Sequence, residues 1–217
     1  MVAVLLVRHL ITTDTLIILA VLFGSVILHE VSHGVVALRF GDDTAKRAGR
    51  LTLNPVSHVD PFGTVILPMI LVLVGAAPFG WARPVPVNPS RLRSPRNHTL
   101  LVSLAGPATN ITLALIAAFF LRGALPMNGP WDDLPFTTDL LLQFGAVNVL
   151  LATFNLIPIP PLDGSAVVER LLPAAWWPGY LKLRQYSMAL LLFLVLALPN
   201  ALDLVFKPVL EFYGRLL

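Results

Sequence analysis

Four long apolar segments dominate this 217-residue chain and restrict what it can fold into. A helix needs about 20 residues to cross the hydrocarbon core of a bilayer. We expect such helices at about 15–38, 98–121, 139–157 and 187–206. With 56% apolar and 12% charged residues, the chain carries roughly half the charge of an ordinary soluble domain. The sequence therefore predicts an all-α polytopic membrane protein.

Residues at the ends of these segments indicate where the helices start and stop. Asp14 is placed to cap the first helix, and Gly41 with the two aspartates after it is placed to end that helix. Asp60 followed by Pro61 is typical of a helix start. Pro199 is expected to kink or end the fourth segment.

A shorter apolar stretch lies between the first two segments. It covers Thr64–Ala77, 14 residues interrupted by Pro68, which is short for a full crossing. We therefore expect a re-entrant helix that enters the bilayer and returns. Residues 79–87 contain Pro84 and Pro86 and should be extended. The fold prediction is about four full transmembrane helices, a short re-entrant helix and an extended segment.

The charged residues exclude one class of function. The net charge is +3 and the pI is near 9.7, but the basic residues lie in short loops between apolar segments. This is the positive-inside pattern of a membrane protein. We therefore expect the lipid bilayer, and no nucleic acid, as a partner. The chain has no cysteine, so any metal must be held by nitrogen and oxygen.

The first apolar segment contains His29-Glu30-Val31-Ser32-His33. The helical repeat places the two histidines one turn apart on one face, which Glu30 borders. Two imidazoles can then bind one Zn²⁺ while the carboxylate reaches the activated water, as in metalloprotease helices. Ionisable residues inside a membrane span are costly and usually functional. We therefore predict His29 and His33 as ligands of one zinc ion per chain, and Glu30 as the catalytic base.

Catalytic zinc usually takes three protein ligands, so a third ligand is needed. His9 and His98 lie at segment ends, where interfacial or capping roles fit, and His58 lies in a turn-rich loop that it can hold in place. Asp163 is better placed. It follows a proline-broken helix end, where a carboxylate at membrane depth is tolerated mainly when it lines a cavity. We predict Asp163 as the third ligand, with a helix-terminating Asp-Gly turn as the alternative.

A shared metal also fixes the direction of the helices. His29 and His33 lie toward the C-terminal end of their segment, and Asp163 lies just past the C-terminal end of its own, so both segments must cross in the same direction. An odd number of crossings must then lie between them, and the segment at about 98–121 supplies one. Basic loops flank the re-entrant stretch on both sides, which puts both loops in the cytoplasm. We expect an integral protein of a prokaryotic cell membrane whose active site faces the cytoplasmic side.

Three motifs in this order resemble those of the site-2 protease family of intramembrane zinc metalloproteases, in a short form without a PDZ or CBS domain. The likeness covers about residues 20–172 and is carried by His29-Glu30-x-x-His33, Ala105-Gly106-Pro107-x-x-Asn110, and Phe154-Asn155-Leu156-Ile157-Pro158 through Pro161-Leu162-Asp163-Gly164.

The resemblance implies zinc held by His29, His33 and Asp163, and Glu30 as the base. It also implies that Asn155, and with less support Asn110, contact the substrate or the oxyanion. By the same likeness, residues 79–87 correspond to a membrane-embedded β-hairpin. We expect one metalloprotease domain over 1–217, with its catalytic core at about 15–172.

The predicted function is hydrolysis of peptide bonds in a transmembrane protein or peptide, near the cytoplasmic face. An extended substrate is expected to pair with residues 81–87 along one edge only, because Pro84 and Pro86 lack donors on the other edge. Two alternatives are a membrane metal transporter and an inactive scaffold of the same fold. A transporter should repeat metal ligands on a neighbouring span, and a scaffold should have lost a ligand or Glu30.

Overall fold

Nine helices account for most of the described chain. The computed structural model describes residues 13–73, 80–125, 134–197 and 199–217, and these ranges contain no β-strand. The helices are α1 Thr13–Arg39, α2 Thr44–Arg47, α3 Leu67–Leu73, α4 Pro95–Leu121, α5 Phe136–Asn155, α6 Ser165–Leu171, α7 Trp177–Arg184, α8 Ser187–Ala197 and α9 Pro199–Gly214. Short 3-10 turns occupy Pro55–His58, Pro89–Arg91 and Ala174–Trp176, and a π-helical turn at Pro61–Ile66 leads into α3.

Three helices are long and apolar enough to cross a membrane: α1 from Ile17, α4 and α5. They correspond to the first three predicted segments, with ends that differ by no more than about three residues. The predicted cap at Asp14 is wrong, because α1 begins at Thr13 and Asp14 is already helical. The predicted stop is confirmed, since Gly41 has φ +105° and turns the chain out of the helix.

The fourth predicted segment is divided between α8 and α9. Pro199 begins α9, and residue 198 lies outside the described residues. A proline lacks the N–H that a continuing helix needs, so the break falls where the sequence suggests. The structure therefore shows two shorter helices here and does not show a fourth single span.

The three long helices pack against one another, and α9 packs on α5. Small residues line the contact of α4 with its neighbours, including Ala114, Ala117 and Ala118, each at most 4% exposed. Tyr213 of α9 reaches across and donates a hydrogen bond to the carbonyl oxygen of Ala114, at 3.1 Å. Apolar surface gives no driving force for association in lipid, so close approach through small residues holds such helices together.

The loop between α2 and α3 is held by its own side chains. Asp60 Oδ1 accepts hydrogen bonds from the backbone N–H groups of Phe62 and Gly63, at 3.1 and 2.6 Å, which confirms the predicted helix start. His58 is fully buried, and its Nε2 lies 2.8 Å from the carbonyl oxygen of Thr52. The predicted role of His58 in holding this loop agrees with that contact.

Residues 80–88 form an irregular segment, not a strand of a hairpin. Trp81 N–H donates to the carbonyl oxygen of Gly63 at 3.2 Å, and Arg83 N–H donates to that of His58 at 2.9 Å. The predicted β-hairpin is not confirmed by the described residues. Pro84 and Pro86 explain why regular strand pairing does not form in this segment, because neither has an N–H that can donate to a β-ladder.

The two basic loops lie against each other. Asp43 forms ion pairs with Arg47 and Arg91, at 2.7 and 2.5 Å, and Arg93 N–H donates to the carbonyl oxygen of Phe40 at 3.0 Å. The loops before and after α3 are therefore at the same end of the molecule. This is the arrangement expected if the stretch between the two loops does not cross the bilayer.

Candidate metal centre

The two histidines of α1 lie on one face, one turn apart, as predicted. Their side chains are almost wholly enclosed: His29 is 5% and His33 is 8% exposed. The ring centroids are 4.7 Å apart and the rings are nearly perpendicular. The two rings are therefore in direct contact with each other.

The loop after α5 brings Asp163 to these rings. Its Oδ2 lies 3.0 Å from Nε2 of His29 and 3.3 Å from Nε2 of His33. The loop is closed by a hydrogen bond from Gly164 N–H to the carbonyl oxygen of Asn155, at 2.6 Å, which ties the turn to the helix end. The structure therefore brings together the three residues that the sequence predicts as ligands. His29, His33 and Asp163 form the three-residue cluster.

The other ring nitrogen of each histidine has a fixed partner. Nδ1 of His29 lies 2.6 Å from Oδ1 of Asn110, and Nδ1 of His33 lies 2.7 Å from the carbonyl oxygen of Val102. Both partners are oxygen acceptors, so in a neutral ring Nδ1 carries the proton and Nε2 has a free lone pair. Two lone pairs and a carboxylate oxygen therefore face one another.

A metal ion bound between these three atoms would accept both lone pairs and compensate the carboxylate charge. Asp163 Oδ2 is buried and receives no hydrogen bond, and such a buried acceptor is costly unless a cation compensates it. The three ligand atoms lie within 4.8 Å of one another. Tetrahedral ligands about 2.1 Å from zinc lie about 3.4 Å apart, close to the two observed separations. The donor set of two nitrogens and one oxygen fits zinc.

A chain of buried side-chain amides fixes His29 from behind. Asn110 Nδ2 donates to Asn148 Oδ1 at 2.8 Å, and Asn148 Nδ2 donates to Ser25 Oγ and to the carbonyl oxygen of Phe144, both at 2.9 Å. The carbonyl can only accept, which sets the orientation of Asn148, then of Asn110, and then of the His29 ring. Ser25, Asn110 and Asn148 are fully buried.

Gly106 of α4 makes room for the cluster. A Cβ added at this position would lie 2.5 Å from Nε2 of His29 and 2.5 Å from Nε2 of His33. Real Cβ atoms do not approach other heavy atoms so closely. Any side chain at residue 106 would therefore enter the space where the ligand atoms converge.

Glu30 lies beside the cluster and is held by a backbone donor. Its Oε2 accepts a hydrogen bond from Val85 N–H at 2.7 Å. The Val85 N–H thereby fixes one carboxylate oxygen of Glu30. The other oxygen, Oε1, takes no part in this hydrogen bond. This arrangement suits a carboxylate that must hold one orientation while it exchanges a proton.

The other predicted residues lie elsewhere or face other groups. Asn155 Nδ2 donates to the carbonyl oxygen of Leu151 within its own helix, at 3.0 Å. Asn110 uses both ends of its amide on His29 and Asn148. His98 lies in the first turn of α4 and stacks on Phe40 at a centroid distance of 4.0 Å. His9 lies outside the described residues.

The expected docking edge of residues 81–87 is already occupied. The N–H groups of Trp81, Arg83 and Val85 donate to Gly63, His58 and Glu30 within the same chain. Because alternate residues of an extended chain share an edge, no donor of these three is left for a substrate. Internal contacts thus use three N–H groups of that edge, and pairing with a substrate there, which would have to displace them, stays a prediction.

Sequence reasoning missed Asn148, Ser25 and the Val85 amide. An asparagine in a predicted membrane span is itself a signal, since uncompensated amides are avoided there, so Asn148 could have been found. Ser25 is four residues before His29 and thus on the same helical face. The Val85 contact has no sequence signal, because a backbone N–H is present at every residue other than proline.

Comparison with known proteins identifies relatives of this chain. The sequence matches the description "Peptidase family M50" over residues 17–127 and 132–198. It is 48% identical over 155 residues, 70% of this chain and 67% of the relative, to the Bacillus subtilis protein named "Putative zinc metalloprotease YwhC". It is 32% identical over 173 residues, 80% of this chain and 64% of the relative, to a Mycobacterium tuberculosis protein named "Putative zinc metalloprotease Rip2".

A more distant relative comes from an archaeon. Identity is 31% over 147 residues, 66% of this chain and 64% of the relative, to the Methanocaldococcus jannaschii protein named "Putative zinc metalloprotease MJ0611". The match thus spans about two thirds of the length of each of these three relatives. No solved structure matches this chain at a significant level.

Proposed function

The chain belongs to peptidase family M50 and is a zinc metalloprotease, and we propose that it cleaves peptide bonds of membrane-spanning substrates near the cytoplasmic face. The observation that supports the site of this activity most strongly is the convergence of two Nε2 lone pairs and the donor-free Oδ2 of Asp163. We propose His29, His33 and Asp163 as the zinc ligands and Glu30 as the catalytic base.

The chemistry divides between the ion and the side chains. A bound zinc ion supplies Lewis acidity, which polarises a peptide carbonyl and makes water a better acid. Glu30 accepts the proton of the attacking water at its carboxylate and passes it to the leaving amine. The Val85 N–H holds Oε2 of Glu30 at 2.7 Å, so the carboxylate keeps one orientation through both transfers.

Two asparagines take different roles in this proposal. Asn110 is fully buried and faces His29 and Asn148, so we assign it to orienting the His29 ring, not to contacting substrate. Asn155 lies at the end of α5, eight residues before Asp163, and is half-buried. It remains the candidate donor to the developing oxyanion, once its amide turns from the carbonyl of Leu151.

The membrane placement extends the same proposal. The end of the molecule that holds the three-residue cluster also carries the two basic loops in contact with each other, which favours the cytoplasm for that end. We propose that α8 and α9 together make the fourth crossing, that the stretch Thr64–Trp81 re-enters, and that residues 1–217 form one domain. Cysteines replacing Arg47 and Arg96 should both be labelled from the cytoplasm, and labelling from opposite faces would contradict this topology.

The two alternative functions lack support in the structure. A metal transporter needs further ligand groups along a path, and within the described ranges the three-residue cluster is the one group of such residues close enough to hold an ion. An inactive scaffold would have lost a ligand or the base, and this chain keeps His29, His33, Asp163 and Glu30.

The direct test of the activity is Glu30→Gln in the full chain. The variant should retain one zinc ion per chain, because Glu30 is not a ligand, and should lose cleavage of reconstituted membrane-spanning peptides by at least about a thousandfold. Glu211→Gln, on the exposed face of α9, is the matched control and should cleave normally. Cleavage by the Glu30→Gln protein at the normal rate would refute the assignment.

A further inference from the structure

Residues 83–85 lie against α1 beside the two histidines. Val85 is 7% exposed, and a Cβ added at Gly34, the residue after His33, would lie 2.9 Å from Val85 Cγ1. The segment can approach this closely because residue 34 has no side chain. The backbone that holds Glu30 is therefore packed on the helix that carries Glu30.

The same segment is also held by Arg50. The guanidinium Nη2 donates to the carbonyl oxygen of Arg83 at 2.5 Å and contacts that of Pro84 at 3.4 Å. Arg50 is only 8% exposed, unlike Arg47 and Arg91, which pair with Asp43 at the surface. An arginine is rarely buried without a specific partner, and here the partner is backbone.

The charges around Arg50 connect it to the base. Burial lowers the pKa of Arg50, the nearby Arg83 cation lowers it further, and the Glu30 carboxylate acts in the opposite direction. Glu30 is the one acidic side chain among these influences. The Glu30 carboxylate is therefore close enough to the Arg50 guanidinium to favour its charged form.

We propose that Arg50 is a positioning residue for Glu30 and acts through the backbone of residues 83–85. This inference rests on the proposed function, in which Glu30 is the base. Arg50 fixes two carbonyl groups, and the next N–H, that of Val85, holds Glu30 Oε2. The Pro84 carbonyl and the Val85 N–H belong to one planar peptide group, and Pro84 fixes φ before it, so a displacement at that carbonyl moves the N–H with it.

Arg50→Met tests the inference because it keeps an apolar stem of similar length and removes the donors and the charge. We expect kcat on a membrane-spanning peptide to fall about tenfold to a hundredfold, with KM within about twofold and zinc content unchanged. Arg50→Lys should recover part of the loss, since it restores charge and one donor. Arg47→Gln, a loss of charge in the same loop, is the control and should leave kcat unchanged.

A second variant removes the N–H of the proposed link and keeps every side chain. Replacing Val85 by its α-hydroxy analogue turns the N–H into an ester oxygen and keeps the side chain, so it tests the link even if Arg50→Met does not fold. The ester should lower kcat by about the same factor, and combining either change with Glu30→Gln should add no further loss. A normal kcat for Arg50→Met or for the ester would overturn the inference.

A readout that needs no cleavage separates this inference from the proposed function. Between Arg83 and Val87 only Val85 has a backbone N–H, because Pro84 and Pro86 have none, so hydrogen exchange of that peptide reports the Glu30 contact. Exchange should be at least about tenfold faster in Arg50→Met. Unchanged exchange would overturn the role of Arg50, whereas absence of cleavage by the unmodified chain would count against the proposed function alone.

Discussion

The two halves of the site are built from different kinds of structure. On the metal side, the three-residue cluster is supported by long helices, and the partners of His29 form a fully buried chain through Asn110 and Asn148. On the base side, Glu30 is supported by an irregular segment whose contacts are mostly backbone groups.

The difference indicates how each half is kept in place. Buried amides inside packed helices have no alternative partner, so breaking one contact leaves a costly unpaired group. The base side supplies no zinc ligand, since its contacts with Arg50 and the Val85 N–H hold Glu30 and the segment beside it. Changes on the metal side should therefore remove zinc, and changes on the base side should spare zinc and affect activity or local stability.

Gly106→Ala should have the largest effect and break the metal side. The added Cβ would lie 2.5 Å from Nε2 of both histidines, so the rings must move apart or the helices must separate. We expect zinc affinity to fall by at least about a hundredfold, measured by competition with a chelator, with overpacking costing about 1–3 kcal/mol of stability. Gly24→Ala on α1, which meets nothing within 4 Å, is the control and should bind zinc normally.

Asn110→Ala should have the next largest effect on the metal side. It removes the acceptor that fixes the His29 tautomer and leaves Asn148 Oδ1 without its donor. Loss of such an outer partner typically reduces metal affinity about tenfold to a hundredfold. Thr112→Val is the control, because Thr112 is exposed on the same helix and its hydroxyl donates to the carbonyl oxygen of Ala108. This control should bind zinc like the unmodified chain. If Asn110→Ala and Thr112→Val bound zinc with equal affinity, the distinction between the two halves would be lost.

Asp42→Asn should have the smallest effect and acts on the base side. Burial alone would raise the pKa of Asp42, but hydrogen bonds from Thr44 and from the Asn88 N–H hold it below its ordinary value of 3.8. A lowered folded pKa means that the ionised group stabilises the fold above pH 3.8, and that this contribution is lost as the pH falls through the lower folded value.

Denaturation of both forms across pH measures this contribution. The variant should be less stable at pH 7, and the difference should shrink below pH 3.8, while zinc content at pH 7 stays unchanged. A difference that grows at low pH, or loss of zinc at pH 7, would contradict the separation of the two halves.

Much of the metal side could be predicted from the sequence. The helical repeat fixes His29 and His33 on one face, and the cost of burying a carboxylate singles out Asp163. Long apolar segments gave α1, α4 and α5 within a few residues. These features follow from local periodicity and from the bilayer, which acts on every residue of a span in the same way.

The base side could not be predicted in the same way. The backbone groups that face Glu30 are set by the way residues 80–88 pack on α1. That packing depends on Gly34 and Arg50, which are distant from residues 80–88 in the sequence. The internal use of the Trp81, Arg83 and Val85 N–H groups, and the helical state of Asp14, were missed for a related reason. Local patterns identify available donors, but tertiary contacts decide whether they are used.

Zinc K-edge X-ray absorption on the purified, zinc-loaded chain tests the central claim most directly. With His29, His33 and Asp163 as ligands, the spectrum should show a four-coordinate shell of nitrogen and oxygen at about 2.0–2.1 Å, with imidazole scattering from two rings. Asp163→Ala and His33→Ala should each abolish this shell or change it. A spectrum with no imidazole contribution, or one that either substitution leaves unchanged, would contradict the account.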